Sequence, residues 1–145
     1  MSKSNAFETA FLQLIFENSN IANLGDATGV RGSSTAGSLY FSLHTSDPGE
    51  AGDQTTNEVA YTSYARVAVA RSSSGWTVSG NAVALDADVT FPAGTGGSGT
   101  ATHWGLGTAS SGAGVLLYKG SISPSIVCGS GVTPKLTAGT VVSED

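Results

Sequence analysis

The run Ser38–His44, SLYFSLH, alternates apolar and polar positions with a period of two. Leu39, Phe41 and Leu43 fall on one side and Tyr40 and Ser42 on the other, the mark of a strand with one buried face. Those three apolar side chains are expected inside, with Ser42 and His44 pointing elsewhere. Asp47, Pro48 and Gly49 follow. Asp bonds to backbone just ahead of it, Pro fixes φ and Gly accepts positive φ, so the three together predict a turn. A polar loop rich in Asp, Glu, Thr and Asn leads to residues 64–70, where alternation resumes. Tyr64, Arg66, Ala68 and Ala70 face one way there, and Ala65, Val67 and Val69 the other.

Further along, residues 76–78, 82–85 and 89–91 read as short strands punctuated by Ser, Gly, Asn and Asp. Pro92 closes that series, and residues 94–99 form a Gly-rich loop. Residues 100–108 alternate again, with Thr102, Trp104 and Leu106 on one face. Residues 115–119 and 121–127 predict two strands with Gly120 between them as a turn or bulge. Pro124 assigns the second to a sheet edge or a bulge. Residues 132–142 hold a last strand or a pair, broken at Pro134 and Gly139. There is no internal repeat of fixed period.

A different period governs the start of the chain. Phe7, Phe11, Leu14 and Ile15 follow i, i+4, i+7, i+8, which predicts a helix over residues 4–18. Asn5 is the expected N-cap, with Glu8 three residues on completing a capping box. Asn18, Ser19 and Asn20 supply the stop. Leu12 and Phe16 widen the apolar surface beyond one stripe, and a helix that apolar packs on more than one side. Phe11 is expected to serve the fold and Phe16 association. Residues 25–37 read as a Gly/Ser/Thr-rich connection. The predicted fold class is all-β: a jelly-roll-like β-sandwich of about eight short antiparallel strands with one N-terminal helix. Residues 1–24 form the helix or arm and 25–145 the sandwich, as one compact domain overall.

Composition sharpens this picture. Gly occurs 20 times in 145 residues, about twice its usual ~7% share, as many tight turns require. Charged residues make up 12%, about half the usual ~25%, which points to a surface partly covered by partners. The net charge is −5 and the six basic residues form no stripe, so neither nucleic acid nor an anionic membrane surface is an expected partner. One cysteine, Cys128, allows no intrachain disulfide and no cysteine-based zinc cluster. No apolar run has the length of a membrane helix, and the N-terminus does not predict a secretory signal. Synthesis in a reducing cytoplasm fits this cysteine usage.

Candidate chemistry is sparse. Gly94, Gly96 and Gly99 match the dinucleotide fingerprint by letter, but the strand-like run ATHWGLGTA follows where a helix N-terminus has to hold the pyrophosphate. The two histidines, His44 and His103, have no zinc-ligand spacing around them. His44 is read as a hydrogen-bonding partner for loop backbone. Asp47, Glu50, Asp53 and Glu58 crowd one loop, and Asp86 and Asp88 another, without the EF-hand pattern for calcium. Trp76 and Trp104 read as core residues. The expectation is no catalytic residue, no cofactor and no metal.

The runs LHTSDPGEAG at residues 43–52, YAR at 64–66 and SPS at 123–125 together resemble a family of small structural proteins from tailed bacteriophages. Its members are often labelled tail-fibre proteins, and they resemble capsid decoration (cement) proteins in size and β-rich make-up. The resemblance covers nearly the whole chain after the helix. It implies a structural virion protein and brings no catalytic motif. Because the chain is short and free of repeats, the expectation is a decoration protein on the capsid surface that stabilises the assembled shell by non-covalent bridging. The expected partners are copies of itself, as a trimer or dimer, and the major capsid protein. A tail or tail-fibre component for host adsorption is the alternative, with a carbohydrate-active enzyme behind it. Candidate interface residues are Phe7, Phe11, Leu12 and Phe16 on the helix and Asp47, Pro48, Gly49 and Glu50 in the turn.

Overall fold

A computed structural model describes residues 3–22, 24, 32 and 34–144. Most of the expected 25–37 connection lies outside the described residues. The elements in chain order are α1 (Asn5–Phe16), β1 (Ser38–His44), β2 (Val67–Ala70), β3 (Trp76–Ser79), β4 (Ala82–Leu85), β5 (Val89–Thr90), β6 (Ser98–Gly107), β7 (Leu116–Gly129), β8 (Lys135–Leu136) and β9 (Gly139–Ser143). The strands form sheets of order β2-β1-β6-β7, β3-β4-β9 and β5-β8. Among the described residues the fold is therefore all-β with one N-terminal helix, as the alternation predicted. It divides into two compact units. The helical unit contains α1, β3, β4 and β9. The sheet unit, Leu39–Val69 with Val89–Leu136, contains the other two sheets.

In the helical unit the helix begins one residue earlier than the capping box implied. Ser4 is the N-cap, with extended φ/ψ, and its Oγ accepts from Phe7 N–H at 3.4 Å. Glu8 then falls one place beyond the box position and is buried. The helix stops where expected: Asn18 turns left-handed at φ 59° and Ser19 N–H donates to Gln13 O. The buried face differs from the expected one. Leu12 and Phe16 are fully buried, whereas Phe7 is 39% exposed. Apolar residues encircle this helix, so periodicity alone does not tell which stripe meets the sheet. Phe16 packs edge-on against Trp76, ring centroids 4.9 Å apart, and Val83, Leu85 and Val142 are buried in the same unit. Arg71 closes the far end of the helix. Its Nε donates to Ile15 O at 2.6 Å and its Nη2 to Leu14 O at 2.7 Å. A cation there satisfies two orphan carbonyls and complements the helix dipole.

In the sheet unit Leu39, Phe41 and Leu43 are buried as expected. β1 pairs antiparallel with β6, setting Phe41 opposite Leu106 and Leu43 opposite Trp104. Ser42 and His44 are also fully buried, which corrects the expectation that they point out of the core. Alternation distinguishes polar from apolar faces, not covered from open ones. Here the polar face is covered as well, and the polar groups bond to one another. β7 is a single 14-residue strand rather than two. Gly120 is not a turn: it lies opposite Trp104 in the ladder, and a Cβ there would come within 2.6 Å of the Trp104 ring. Pro124 does mark an edge and a bulge. β7 is the last strand of its sheet. Its register jumps from Ala101–Ile126 to His103–Ser121, which leaves residues 122–125 unpaired with β6. That is a device that blunts an exposed edge. The glycines at 94–99 lead into β6, a strand, so the fingerprint's helix is replaced by β structure.

Candidate functional site

Three groups of polar side chains organise the sheet unit. The first is the turn after β1. Asp47 Oδ1 accepts from Gly49 N–H at 2.8 Å, and Gly49 takes the positive φ (75°) that the turn requires. Pro48 is buried, while Asp47 and Glu50 are exposed. Lys119, on β7, reaches both acids, with Nζ 3.0 Å from Asp47 Oδ1 and 3.2 Å from Glu50 Oε1. The Gly49 amide and then Lys119 hold the Asp47 carboxyl below its ordinary range, and Lys119 is raised by the same two acids. Between this turn and the start of β7 is a cavity of about 280 Å³ bordered by Gly49, Glu50, Gly52 and residues 116–119.

The second group is buried. His44 Nδ1 is 2.8 Å from Thr56 O, and Nε2 is 2.8 Å from Ser42 Oγ. A carbonyl only accepts, so Nδ1 carries the proton and Nε2 accepts from the serine hydroxyl. Burial favours this neutral form and pushes His44 below its ordinary value. Expected from sequence as a partner for loop backbone, His44 does pin the loop at Thr56. Gln54, fully buried, makes a second clip: its Nε2 donates to Tyr40 O at 3.2 Å and its Oε1 accepts from Ala109 N–H at 2.9 Å.

The third group centres on Glu58. Arg66 grips it with two parallel bonds, Nε to Oε1 at 2.7 Å and Nη2 to Oε2 at 2.8 Å, and Nη1 donates to Ala109 O at 2.9 Å. The Tyr64 hydroxyl donates to Glu58 Oε1 at 2.8 Å and accepts from Leu43 N–H at 3.1 Å. Burial drives the Tyr64 phenol well above its ordinary range. The hydrogen bond to Glu58 raises Arg66 above its ordinary value. Asp53 is used locally: Oδ1 accepts from the Thr55 hydroxyl at 2.6 Å and the Thr55 amide at 2.8 Å, which lowers its pKa.

The four acids of this loop are therefore divided among three ties: Asp47 and Glu50 meet Lys119, Asp53 meets Thr55, and Glu58 meets Arg66 and Tyr64. Among the described residues no group of three or more His, Cys, Asp and Glu side chains is placed to hold a metal ion. The candidate interface residues fall in different units. Asp47, Pro48, Gly49 and Glu50 form the turn bound by Lys119. Phe7 and Phe11 sit together on the helix with ring centroids 6.2 Å apart, while Leu12 and Phe16 are enclosed in the core of the helical unit. Trp76 is core as expected, and Trp104 is half-buried.

Residues 2–144 match the family described as Podophage GP4 fiber I protein gp80. The chain belongs to this family. No curated protein matches it. Membership in the fiber I family bears out the resemblance drawn from the 43–52, 64–66 and 123–125 runs and makes the chain a fibre-related structural protein of tailed phages. The structure gives each of those runs a physical task. LHTSDPGEAG ends β1 and builds the Asp47 turn. YAR supplies the two partners of Glu58. SPS is the excursion that blunts the edge of β7. No described helix is long and apolar enough to cross a membrane.

Proposed function

We propose that this chain is a structural subunit of the phage tail fibre, held in the virion by non-covalent contacts with copies of itself and with neighbouring virion proteins. The observation that carries this reading is the family match over residues 2–144, whose description is a fibre protein. The chemistry of the sheet unit supports it. His44, Gln54, Asp53, Glu58 and Arg66 spend their bonding capacity on internal ties, as in a scaffold. The exposed Phe7 beside Phe11 is the surface proposed for contacts between subunits.

Decoration of the assembled head shell is the second reading. The exposed acidic turn at Asp47–Glu50 favours it as a charged contact for a shell protein. Gold-labelled antibody against the chain, applied to intact virions, separates the two. Label confined to the tail fibres is the expected result. Label spread over the head surface overturns the fibre reading in favour of decoration.

A further inference from the structure

We propose that the outer edge of β7 and the cavity beside it form a docking site for an extended segment of a different protein, added to the sheet as a further strand with a lysine or arginine side chain entering the cavity. The inference rests on the reading of the chain as a structural subunit held by neighbouring virion proteins, and it names the chemistry of one such contact.

The edge is open and unguarded. β7 ends its sheet, and among the described residues of the sheet unit no strand pairs with its outer side. Residues 116–121 stay beside β6 from Gly107 to His103, and the excursion at 122–125 interrupts the ladder only after Ser121. Such an edge presents backbone N–H and C=O groups to any extended chain alongside. A lysine commonly guards an edge. Here the lysine is Lys119, and its ammonium is turned onto Asp47 and Glu50. Val115, just before β7, is 59% exposed, and Val127, near its end, is 68% exposed. Among the described residues these are the large apolar side chains that the sheet unit leaves in water, and both flank this edge.

The cavity supplies selectivity. It has a volume of about 280 Å³ and lies between residues 116–119 of the edge and Gly49, Glu50 and Gly52 of the turn. A strand added to β7 directs alternate side chains to each face of the sheet, including the face that carries the turn. Asp47 and Glu50 outnumber Lys119, so the rim keeps an excess negative charge. The ammonium or guanidinium of a long basic side chain meets those acids while its methylene stem lies along Leu116 and Leu117.

Charge also separates a different protein from a second copy. Every described basic side chain is already engaged within the chain: Lys3 by Glu144, Arg66 by Glu58, Arg71 by the helix carbonyls, Lys119 by the turn, and Lys135 as well. Arg31 lies outside the described residues. Antiparallel pairing of two β7 edges about a two-fold axis would also set two acidic turns on the same face of the joined sheet, in a chain of net charge −5.

The full chain, labelled with nitrogen-15, is titrated with short capped peptides of alternating threonine and valine that carry arginine, lysine, leucine or glutamate at the centre. The expected result is saturable movement of the amide signals of residues 49–52 and 115–121 with the arginine and lysine peptides, about 2- to 5-fold tighter than with the glutamate peptide. Glu50→Lys, at a side chain 95% exposed that leaves the fold intact, is expected to remove or reverse that preference. The arginine peptide methylated on every backbone nitrogen, which cannot extend the ladder, is expected not to move these signals. No movement with either basic peptide up to its solubility limit overturns the proposal. So does a glutamate peptide that binds as tightly, an unchanged preference in Glu50→Lys, or a methylated peptide that binds as well as its parent. Movement of the same signals on dilution of the chain without peptide overturns it in favour of a second copy. These outcomes do not depend on where antibody labels the virion, so failure here leaves the fibre reading standing, and the reverse.

Discussion

The two units of this protein are held together by different forces. In the helical unit the contacts that matter are apolar: Leu12 and Phe16 press on a β-sheet whose Trp76, Val83 and Leu85 are buried. Its long-range polar ties lie at the margins of that core: Arg71 on the helix terminus, Thr9 on Gly80 O and Lys3 on Glu144. In the sheet unit Leu39, Phe41, Leu43 and Leu106 make an apolar core, but the opposite face of β1 is covered by loop residues whose buried polar groups are paired. The difference teaches where each unit is vulnerable. An apolar core loses stability in proportion to the volume removed and is indifferent to pH. A paired polar layer tolerates little loss of a partner and responds to protonation.

The largest effect is expected at Phe16. Phe16→Ala leaves a cavity against Trp76 in a fully buried site and is expected to cost about 3–5 kcal/mol, read as a shift of the urea midpoint. Phe7→Ala, on the exposed side of the same helix, is expected to change the midpoint little. Equal losses from the two substitutions would break the assignment of the buried face.

Next is the Glu58–Arg66 pair. Glu58→Ala leaves a nearly enclosed guanidinium without its carboxylate and is expected to cost about 3 kcal/mol. Replacing both partners, Glu58→Leu with Arg66→Met, is expected to recover part of that loss, because neither charge then remains buried alone. A double variant as unstable as the sum of its single replacements would show that the ion pair is not the tie described here.

These two sites also show what was legible in the sequence. The helix, the alternation of β1, the turn at Asp47–Gly49 and the edge marked by Pro124 were all readable because each is a local pattern acting on its own backbone. The tie between Glu58 and Arg66 spans eight residues, and no periodicity announces it. Gln54 was not singled out, since a glutamine in a polar loop looks solvated until the chain folds it under Ala109. Arg71 was counted as a charge and not as a cap, because the carbonyls it meets lie more than fifty residues away. Gly120 reads as a turn or bulge in the sequence because glycine is common at both, and the cross-strand Trp104 ring is what explains it. Gly120→Ala is accordingly expected to cost about 1–3 kcal/mol through overpacking, less than the loss at Glu58. Trp104→Leu is expected to restore part of it by removing the ring that the new methyl strikes.

The smallest expected effect separates the units by pH. His44 is neutral in the fold and its pKa lies below the ordinary value of ~6.5. Burial lowers it, with Arg66 and His103 adding to the same side, and this outweighs the raising by the Thr56 carbonyl and Glu58. Above pH ~6.5 the imidazole is neutral in folded and unfolded chains alike, and the full contribution is present. As pH falls below that value the unfolded chain takes up the proton first, and stability is lost until the folded pKa is passed. His44→Gln is expected to flatten the stability profile in this window. The depressed Asp47 and Asp53 act in a separate window, losing their contribution only as pH falls below ~3.8.

Amide hydrogen exchange of the full chain at pH 7.5 and pH 5.5, corrected for the intrinsic pH dependence of exchange, tests the contrast most directly. The loop amides that His44 and Gln54 hold in place, among them Gln54, Val59 and Ala109, are expected to lose protection at the lower pH, while the amides of α1 keep theirs. Equal loss of protection in both units, or loss confined to α1, would contradict the account.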